Sequence, residues 1–399
     1  MISYEASQNM MSLVTIPKIR SQKVFLMESF GRILADDIIA LEDYPTQPTS
    51  AMDGYALTHA DLEVYETLKI AGDNPAGANE VRAVEHGKCI KTFTGSLMPS
   101  GADTLIPIEN VIVNDGIIHI NQTVRCGFAV RPIGESYRKD EVLIARGTKL
   151  EFAQIGVMAG LNTVMVDVVQ KPRVAIVATG AELLDIGEVQ RHAGQIRSSN
   201  SYTLEALVTQ LGGESIQMGI VGDVRDAIME RFEQALRTAD IVVSTGGVSV
   251  GDYDFVKDIV PSLGAKVIFQ GVNIKPGQHV MVAQRADKFI VSLPGFAYSS
   301  TVTFILYVAP LMARMMGMNN PYEPLEATLK TPFKKHSKKS EFTACNLSFD
   351  EGRYWVDFEG KKTGSSAILT NLLGDCALML CDEEDGDLEA GTQVRVIKI

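Results

Sequence analysis

Residues 240–254 read Asp-Ile-Val-Val-Ser-Thr-Gly-Gly-Val-Ser-Val-Gly-Asp-Tyr-Asp. Ile241, Val242 and Val243 form a β-branched run of the kind that a parallel sheet buries on both faces. Thr245, Gly246, Gly247, Ser249 and Gly251 follow, and then Asp252 and Asp254. A buried strand that breaks into a glycine-rich turn presents backbone N–H groups at the sheet's carboxyl edge, where they favour an anion such as phosphate. Carboxylates beside an anion cradle imply a cation between them, so the stretch predicts phosphate and metal together. The expected ligand is a phosphorylated small molecule.

The flanking sequence supplies the sheet. Arg173–Ala178, Ser215–Val221, Asp240–Ser244, Ala265–Phe269 and Phe289–Leu293 read as strands. Ser201–Leu211, Asp226–Thr238, Phe255–Leu263 and Ser299–Met316 read as helices. This alternation predicts a doubly wound, mainly parallel α/β sheet with its site at the carboxyl ends of the strands. Residues 1–16 join it through a helix over Ser3–Leu13, giving a domain of 1–16 plus 172–318. Gln22–Asp36 places Val24, Met27, Phe30, Ile33 and Leu34 at helical spacing, and Val142–Gly160 is also expected to be helical. Together they predict a helical linking domain over 17–38 plus 141–171. Between them, 39–140 is punctuated by Gly and Pro and reads as an inserted β-rich lobe. After the Asn319-Asn320-Pro321 turn, 319–399 reads as a small C-terminal β-barrel or sandwich.

Three acid-bearing loops should meet at one sheet edge: Thr179-Gly180-Ala181-Glu182, Gly222-Asp223, and Gly246–Asp254. Three carboxylates within 4 Å of one another would repel by about 4 kcal/mol per pair at an effective dielectric near 20. Bound Mg²⁺ shared with a substrate phosphate reverses that sign. Each acid could equally cap a helix or turn. Lys275, in Asn-Ile-Lys-Pro-Gly, is either a partner for phosphate or an oxyanion, or a solvated surface lysine. The glycine turn lacks the endings of a P-loop or a dinucleotide fingerprint, so neither ordinary ATP hydrolysis nor hydride transfer is supported.

Composition narrows the function further. The 399-residue chain has a formal charge of −12, which argues against general nucleic-acid binding. Its five cysteines form no C-x-x-C pair, consistent with free thiols in a reducing compartment. Phe289–Ala313 is uncharged but interrupted by Pro294, Gly295 and Pro310, so a strand, turn and buried helix are expected rather than a membrane span. A cytoplasmic protein is the expectation. Lys334–Lys339 could meet an anion but reads more readily as a solvated strand end, and Asp382–Glu389 reads as a hairpin turn.

In order along the chain, Ser50–Ala56, Thr92–Gly95, Thr179–Leu183, Ser244–Asp254, Asn273–Gly277 and Leu293–Gly295 resemble the molybdopterin molybdenumtransferase family, which includes the E domain of gephyrin. The resemblance covers essentially the whole chain, and the pairing of Ser-Ala-Met-Asp-Gly-Tyr-Ala with Thr-Gly-Gly-Val-Ser-Val-Gly-Asp is specific. It implies a homodimer of four-domain subunits that inserts molybdenum from molybdate into adenylylated molybdopterin, with Mg²⁺-assisted release of AMP. The site it implies lies between the sheet domain of one subunit and the β-rich lobe of the other.

By position, Glu182, Asp223 and Asp254 resemble the family's acidic, metal-holding residues, and Lys275 its site lysine. Asp53, Thr94 and Arg131 resemble the lobe's contribution, and Ser366 a site serine of the C-terminal domain. Gly246, Gly247, Ser249, Gly251 and Pro294 would approach the pterin's phosphate. The adenylyltransferase that precedes this step is a candidate partner. Phe296-Ala297 stands where the family usually reads Asn-Pro, and Ser136 where an acid commonly follows Gly-Glu. Gly271 and Ala344 stand where basic residues are frequent. A molybdopterin adenylyltransferase, or a pterin-binding scaffold without catalysis, is the alternative reading.

Overall fold

The computed structural model describes residues 1–17, 20–78, 82–248, 254–362 and 365–399. The chain divides into two compact units, Met1–Ala35 with Met165–Ile399, and Asp36–Val164.

In the first unit, Ile241–Thr245 is the parallel neighbour of Arg173–Thr179 on one side and Lys288–Leu293 on the other. All five of its residues are buried. Its alternate side chains enter different cores, which is why the run is apolar without a break. Ile241 and Val243 pack with Leu204, Val208 and Val302, while Val242 packs with Ile228, Phe232 and Ile259. Ser199–Gln210 and the helical stretch from Ala297 therefore cover one face, and Arg225–Thr238 with Val256–Ser262 the other. The doubly wound sheet is as expected. Its sixth strand, Met281–Arg285, forms an antiparallel hairpin with Lys288–Leu293 and was not anticipated. Tyr4–Leu13 begins at Ser3, whose hydroxyl accepts the Ala6 N–H at 3.1 Å as an N-cap.

Phe289–Ala313 resolves into a strand end, a turn and a buried helix. That helix loosens to a π-turn over Phe304–Val308, just before Pro310, which cannot donate to the helical ladder. Among the described residues no helix is long and apolar enough to cross a membrane. Beyond the helix, Leu325–Leu329, Ser340–Asp350, Arg353–Asp357, Cys376–Cys381 and Gln393–Lys398 close into a five-stranded barrel. Closure comes from pairing of Ser340–Asp350 with Cys376–Cys381, which removes the exposed edges an open sheet would leave.

Two helical expectations are corrected. Over 22–36 the chain forms a strand, Ser21–Phe25, and a short 3₁₀ turn, Leu26–Ser29. Its backbone bonds go to Met165–Val169, a β-branched run whose propensity outweighs the apolar spacing. Gly31, at φ +73°, also breaks any continuing helix. Over 142–160 only Phe152–Gly160 is helical, while Val142–Ile144 pairs with Ile38–Ile39 and Gly147 turns at φ +84° between them. The described residues of 17–38 and 141–171 are thus short strands and turns with one short helix, Phe152–Gly160, and do not form a helical domain.

The second unit carries a six-stranded sheet in the order Thr104–Pro107, Gly54–Leu57, Lys88–Thr92, Thr67–Asn74, Ile117–Ile120, Val111–Asn114. Tyr55, Leu57, Leu68, Cys89, Ile106 and Ile118 form its core.

Candidate active site

The carboxyl ends of the parallel strands open into a cavity of about 1180 Å³ whose far wall is the barrel. Its volume exceeds that of an ordinary small-ligand pocket, roughly 300–1,000 Å³. Glu182, Asp223 and Asp254, from loops after three different strands, all line it. So do Gly246, Gly247, Lys275, Pro294 and Ser366. Ser249 and Gly251, with Asp252, lie outside the described residues.

The glycine turn has a steric cause. Gly246 has φ +91°, and a Cβ there would sit 2.5 Å from the Thr179 carbonyl oxygen. Gly247 has φ +67°, and its added Cβ would meet Val256 Cγ2 at 2.8 Å. The turn is tied by Gly246 N–H to Leu293 O at 3.1 Å and Val256 N–H to Gly247 O at 3.1 Å. A Cβ on Gly295 would lie 3.7 Å from Gly246 Cα, so the two glycine backbones run side by side. Asn200 fixes the Gly295 carbonyl with a 2.7 Å bond from Nδ2. At the neighbouring loop, Asp223 Oδ2 accepts the Ala181 N–H at 3.1 Å, so this acid caps a turn as well as facing the cavity. Gly180 lies at φ +149°, a backbone conformation that residues with a Cβ rarely adopt.

Among the described residues no three of His, Cys, Asp and Glu are grouped closely enough to hold a metal ion by themselves. An all-protein cage is therefore not present there. The donors lining this edge are carboxylate oxygens, the type Mg²⁺ selects, and Mg²⁺ commonly takes one or two carboxylates together with substrate phosphate and water. The acids fit that mode of binding.

Lys275 is held by the barrel. Ile274–Lys275 pairs in parallel with Ser340 and Glu341 of the barrel rather than with the α/β sheet. Its Nζ lies 3.5 Å from Glu341 Oε1. Sequence reasoning passed over Glu341, along with Gln278, His279, Lys361 and Lys362, which line the same cavity. It also read Lys334–Lys339 as solvated. Lys334, His336 and Lys338 are exposed as that reading has it, but Lys334, His336 and Lys339 also line the cavity, while Lys335 Nζ donates to the Asp382, Glu383 and Asp385 carbonyls. Of these residues only Glu341 lies on a strand, and the others stand in turns and loops, where no periodicity marks the cavity side. Ala344 faces a wall that Lys339, Lys361 and Lys362 keep basic.

In the other unit, the Asp53 carboxylate accepts the Thr94 N–H at 2.8 Å and the Thr94 hydroxyl at 2.7 Å. The backbone N–H first, and the hydroxyl second, hold Asp53 below the usual carboxylate range. Arg131 pairs with Thr49 in a short antiparallel ladder and its guanidinium meets Glu135. Asp53 and Thr94 are thus in direct contact, and Arg131 borders the strand that leads into the Asp53 loop.

Comparison with known proteins accounts for this combination. Residues 2–161 match the MoeA N-terminal region (domain I and II), 175–314 a probable molybdopterin binding domain, and 326–399 the MoeA C-terminal region (domain IV). The molybdopterin molybdenumtransferase of a Nostoc species is 34% identical, covering 96% of this chain and 91% of that one. The Haemophilus influenzae enzyme of the same name is 29% identical over 98% and 97%. A crystal structure of the molybdopterin biosynthesis MoeA protein from Pyrococcus horikoshii OT3 superposes with a TM-score of 0.82 at 28% identity, covering both chains fully.

Fold and cavity thus define a multidomain α/β protein of molybdenum cofactor biosynthesis. The separate matches to all three regions lie in the order of the resembling motifs. The chain belongs to the molybdopterin molybdenumtransferase family.

Proposed function

We propose that this chain inserts molybdenum from molybdate into adenylylated molybdopterin, with Mg²⁺-assisted release of AMP. The observation that carries this reading is the convergence of the glycine turn, three acid-bearing loops and Lys275 on one cavity. Each element suits one part of such a substrate. The Gly246–Gly247 turn brings backbone close to a phosphate, because no Cβ stands in the way. Of Glu182, Asp223 and Asp254, one or two would hold Mg²⁺ together with substrate phosphate and water, and the ion when bound would supply Lewis-acid stabilisation of phosphoryl oxygens. Lys275 offsets negative charge that develops on the leaving phosphate or arrives with molybdate. Pro294 and Ser366 shape the walls around the pterin.

We further propose a cytoplasmic homodimer, to which Asp53, Thr94 and Arg131 contribute a second set of substrate contacts. Light scattering tests the dimer. Mixing Asp53→Ala with Asp254→Ala subunits tests whether the two sets act on one substrate, since recovery of activity in the mixture requires it. The adenylyltransferase of the preceding step is a proposed partner, through hand-over of a labile adenylylated intermediate.

The deciding experiment supplies purified protein with adenylylated molybdopterin, Mg²⁺ and molybdate, and follows AMP release and active cofactor together. Both are expected, and both should depend on molybdate. Tight binding without molybdate-dependent turnover would identify a scaffold instead. Absence of binding and of AMP release from the folded protein would end the enzyme reading.

A further inference from the structure

Glu341 is 3% exposed, at the start of the barrel's longest strand. A carboxylate taken out of water at such a place needs compensating partners. It has two: the His336 N–H at 3.1 Å and the Lys275 ammonium at 3.5 Å, both on Oε1. The lysine separation exceeds a normal N–H···O length of about 2.7–3.2 Å. The attraction is therefore chiefly electrostatic, and it does not consume the ammonium's three donors. The Lys275 side chain is 45% exposed and lines the cavity, so one flank faces a buried anion and the other the open site.

The same short piece of barrel grips the lysine loop at two further points. Ser340 N–H donates to the Asn273 carbonyl at 3.2 Å, and Lys339 Nζ bonds Gln278 Oε1. Three successive barrel residues thus hold the two flanks and the lysine of the Asn273–Gln278 loop.

We propose that Glu341 is a positioning residue for Lys275: its buried carboxylate holds the ammonium against the barrel wall, oriented toward the anionic groups of the substrate. A lysine side chain has many rotamers, and an unpaired one samples them. The inference rests on the reading of Lys275 as the lysine that meets substrate charge.

The test compares Glu341→Gln, which keeps size and the acceptor for His336, with Glu341→Asp, which keeps the charge. In the molybdenum-insertion assay, Glu341→Gln should lower kcat by between about tenfold and about a hundredfold, the scale of a lost near-attack geometry. KM should move by less than about threefold, because ground-state contacts remain. Glu341→Asp should recover part of the loss. A second readout needs no turnover: limited acetylation with mass spectrometry at Lys275, referenced to exposed Lys171. Removal of the partner carboxylate should raise Lys275 labelling in Glu341→Gln, because the ammonium is no longer held against the barrel wall and reaches the reagent more freely, and leave it near wild type in Glu341→Asp.

Wild-type turnover in Glu341→Gln, or unchanged labelling, would overturn the proposal. Equal losses in both variants that track a fall in melting temperature would overturn it too, in favour of a role in stability alone. A wild-type chain that labels as expected but never releases AMP would count against the insertase reading and leave the Glu341–Lys275 pairing standing.

Discussion

Replacing Gly246 by Ala tests whether the glycine turn is imposed by packing. The substitution adds one carbon, yet that carbon would lie 2.5 Å from the Thr179 carbonyl oxygen and 2.9 Å from Thr179 Oγ1. Neither atom is mobile: Thr179 is buried, and its Oγ1 already donates to the Thr245 carbonyl at 3.2 Å. Left-handed backbone costs a residue with a Cβ about 1–2 kcal/mol. Forced overpacking against a fixed neighbour adds about 1–3 kcal/mol. Together they predict a loss of about 2–5 kcal/mol. Gly212→Ala is the control, because Gly212 has φ +80° but nothing within 4 Å of an added Cβ. It should lose only the backbone part, about 1–2 kcal/mol. A chain of several domains does not unfold in one step, so the assay is hydrogen exchange followed by mass spectrometry on a peptide spanning Ile241–Thr245. Exchange there should quicken by between about thirtyfold and about four-thousandfold in Gly246→Ala. The control, read on its own helix, should quicken by about fivefold to thirtyfold. If Gly246→Ala costs no more than Gly212→Ala, the turn can yield, and the argument that its backbone is held for a ligand fails.

Other substitutions separate charge from scaffold. Asp223→Asn retains an oxygen for the Ala181 N–H but removes the charge. Turnover is expected to fall by about a hundredfold with the melting temperature unchanged, and an active variant would remove Asp223 from the chemistry. Thr94→Val deletes the hydroxyl bond to Asp53 and leaves the backbone bond, so the Asp53 carboxyl should titrate higher by carboxyl-detected NMR. Because its folded value is depressed, Asp53 contributes stability above its unfolded value and loses it as pH falls through the folded one. In Thr94→Val that contribution should be smaller and its loss complete at a higher pH, and an unmoved titration would show that the hydroxyl is irrelevant. Phe296 occupies the N-cap of Ala297–Thr303 without a side-chain bond. Phe296→Asn should supply one and slow exchange across that helix by an amount equivalent to about 1 kcal/mol, whereas faster exchange would show that the ring is needed for packing.

The larger unit was legible because its signals were local and redundant. Ile241–Val243 is continuous and β-branched, and buried on both faces it could hardly serve another purpose. The alternation with Arg225–Thr238 and Ser199–Gln210 then allowed little besides a doubly wound sheet. The failures at 22–36 and 142–160 have a different origin. Val24, Met27 and Phe30 show helical spacing, yet Met27 and Phe30 are exposed at 70% and 59%, so the spacing recorded no buried helix face. What decided the structure was a distant run, Met165–Val169, whose backbone groups pair with Ser21–Phe25. Local periodicity carries no information about such a partner.

The site divides along the same line. Glu182, Asp223 and Gly246 follow parallel strands directly, so strand order alone carries them to one edge. Lys275 reaches that edge by another route. It is registered against Glu341, 66 residues away on a strand of the barrel, and no spacing rule connects the two. A lysine in a turn reads as a surface charge until a buried carboxylate is found beside it. The barrel is then part of the site and not an appendage to it. Its strand register sets where the lysine stands, and His336 and Lys339, with Lys361 and Lys362, complete the wall. An acidic sheet edge facing a basic barrel wall across one cavity suits a ligand with anionic groups at separated points, one near a cation and another near lysine. A sheet domain alone would present only the first half.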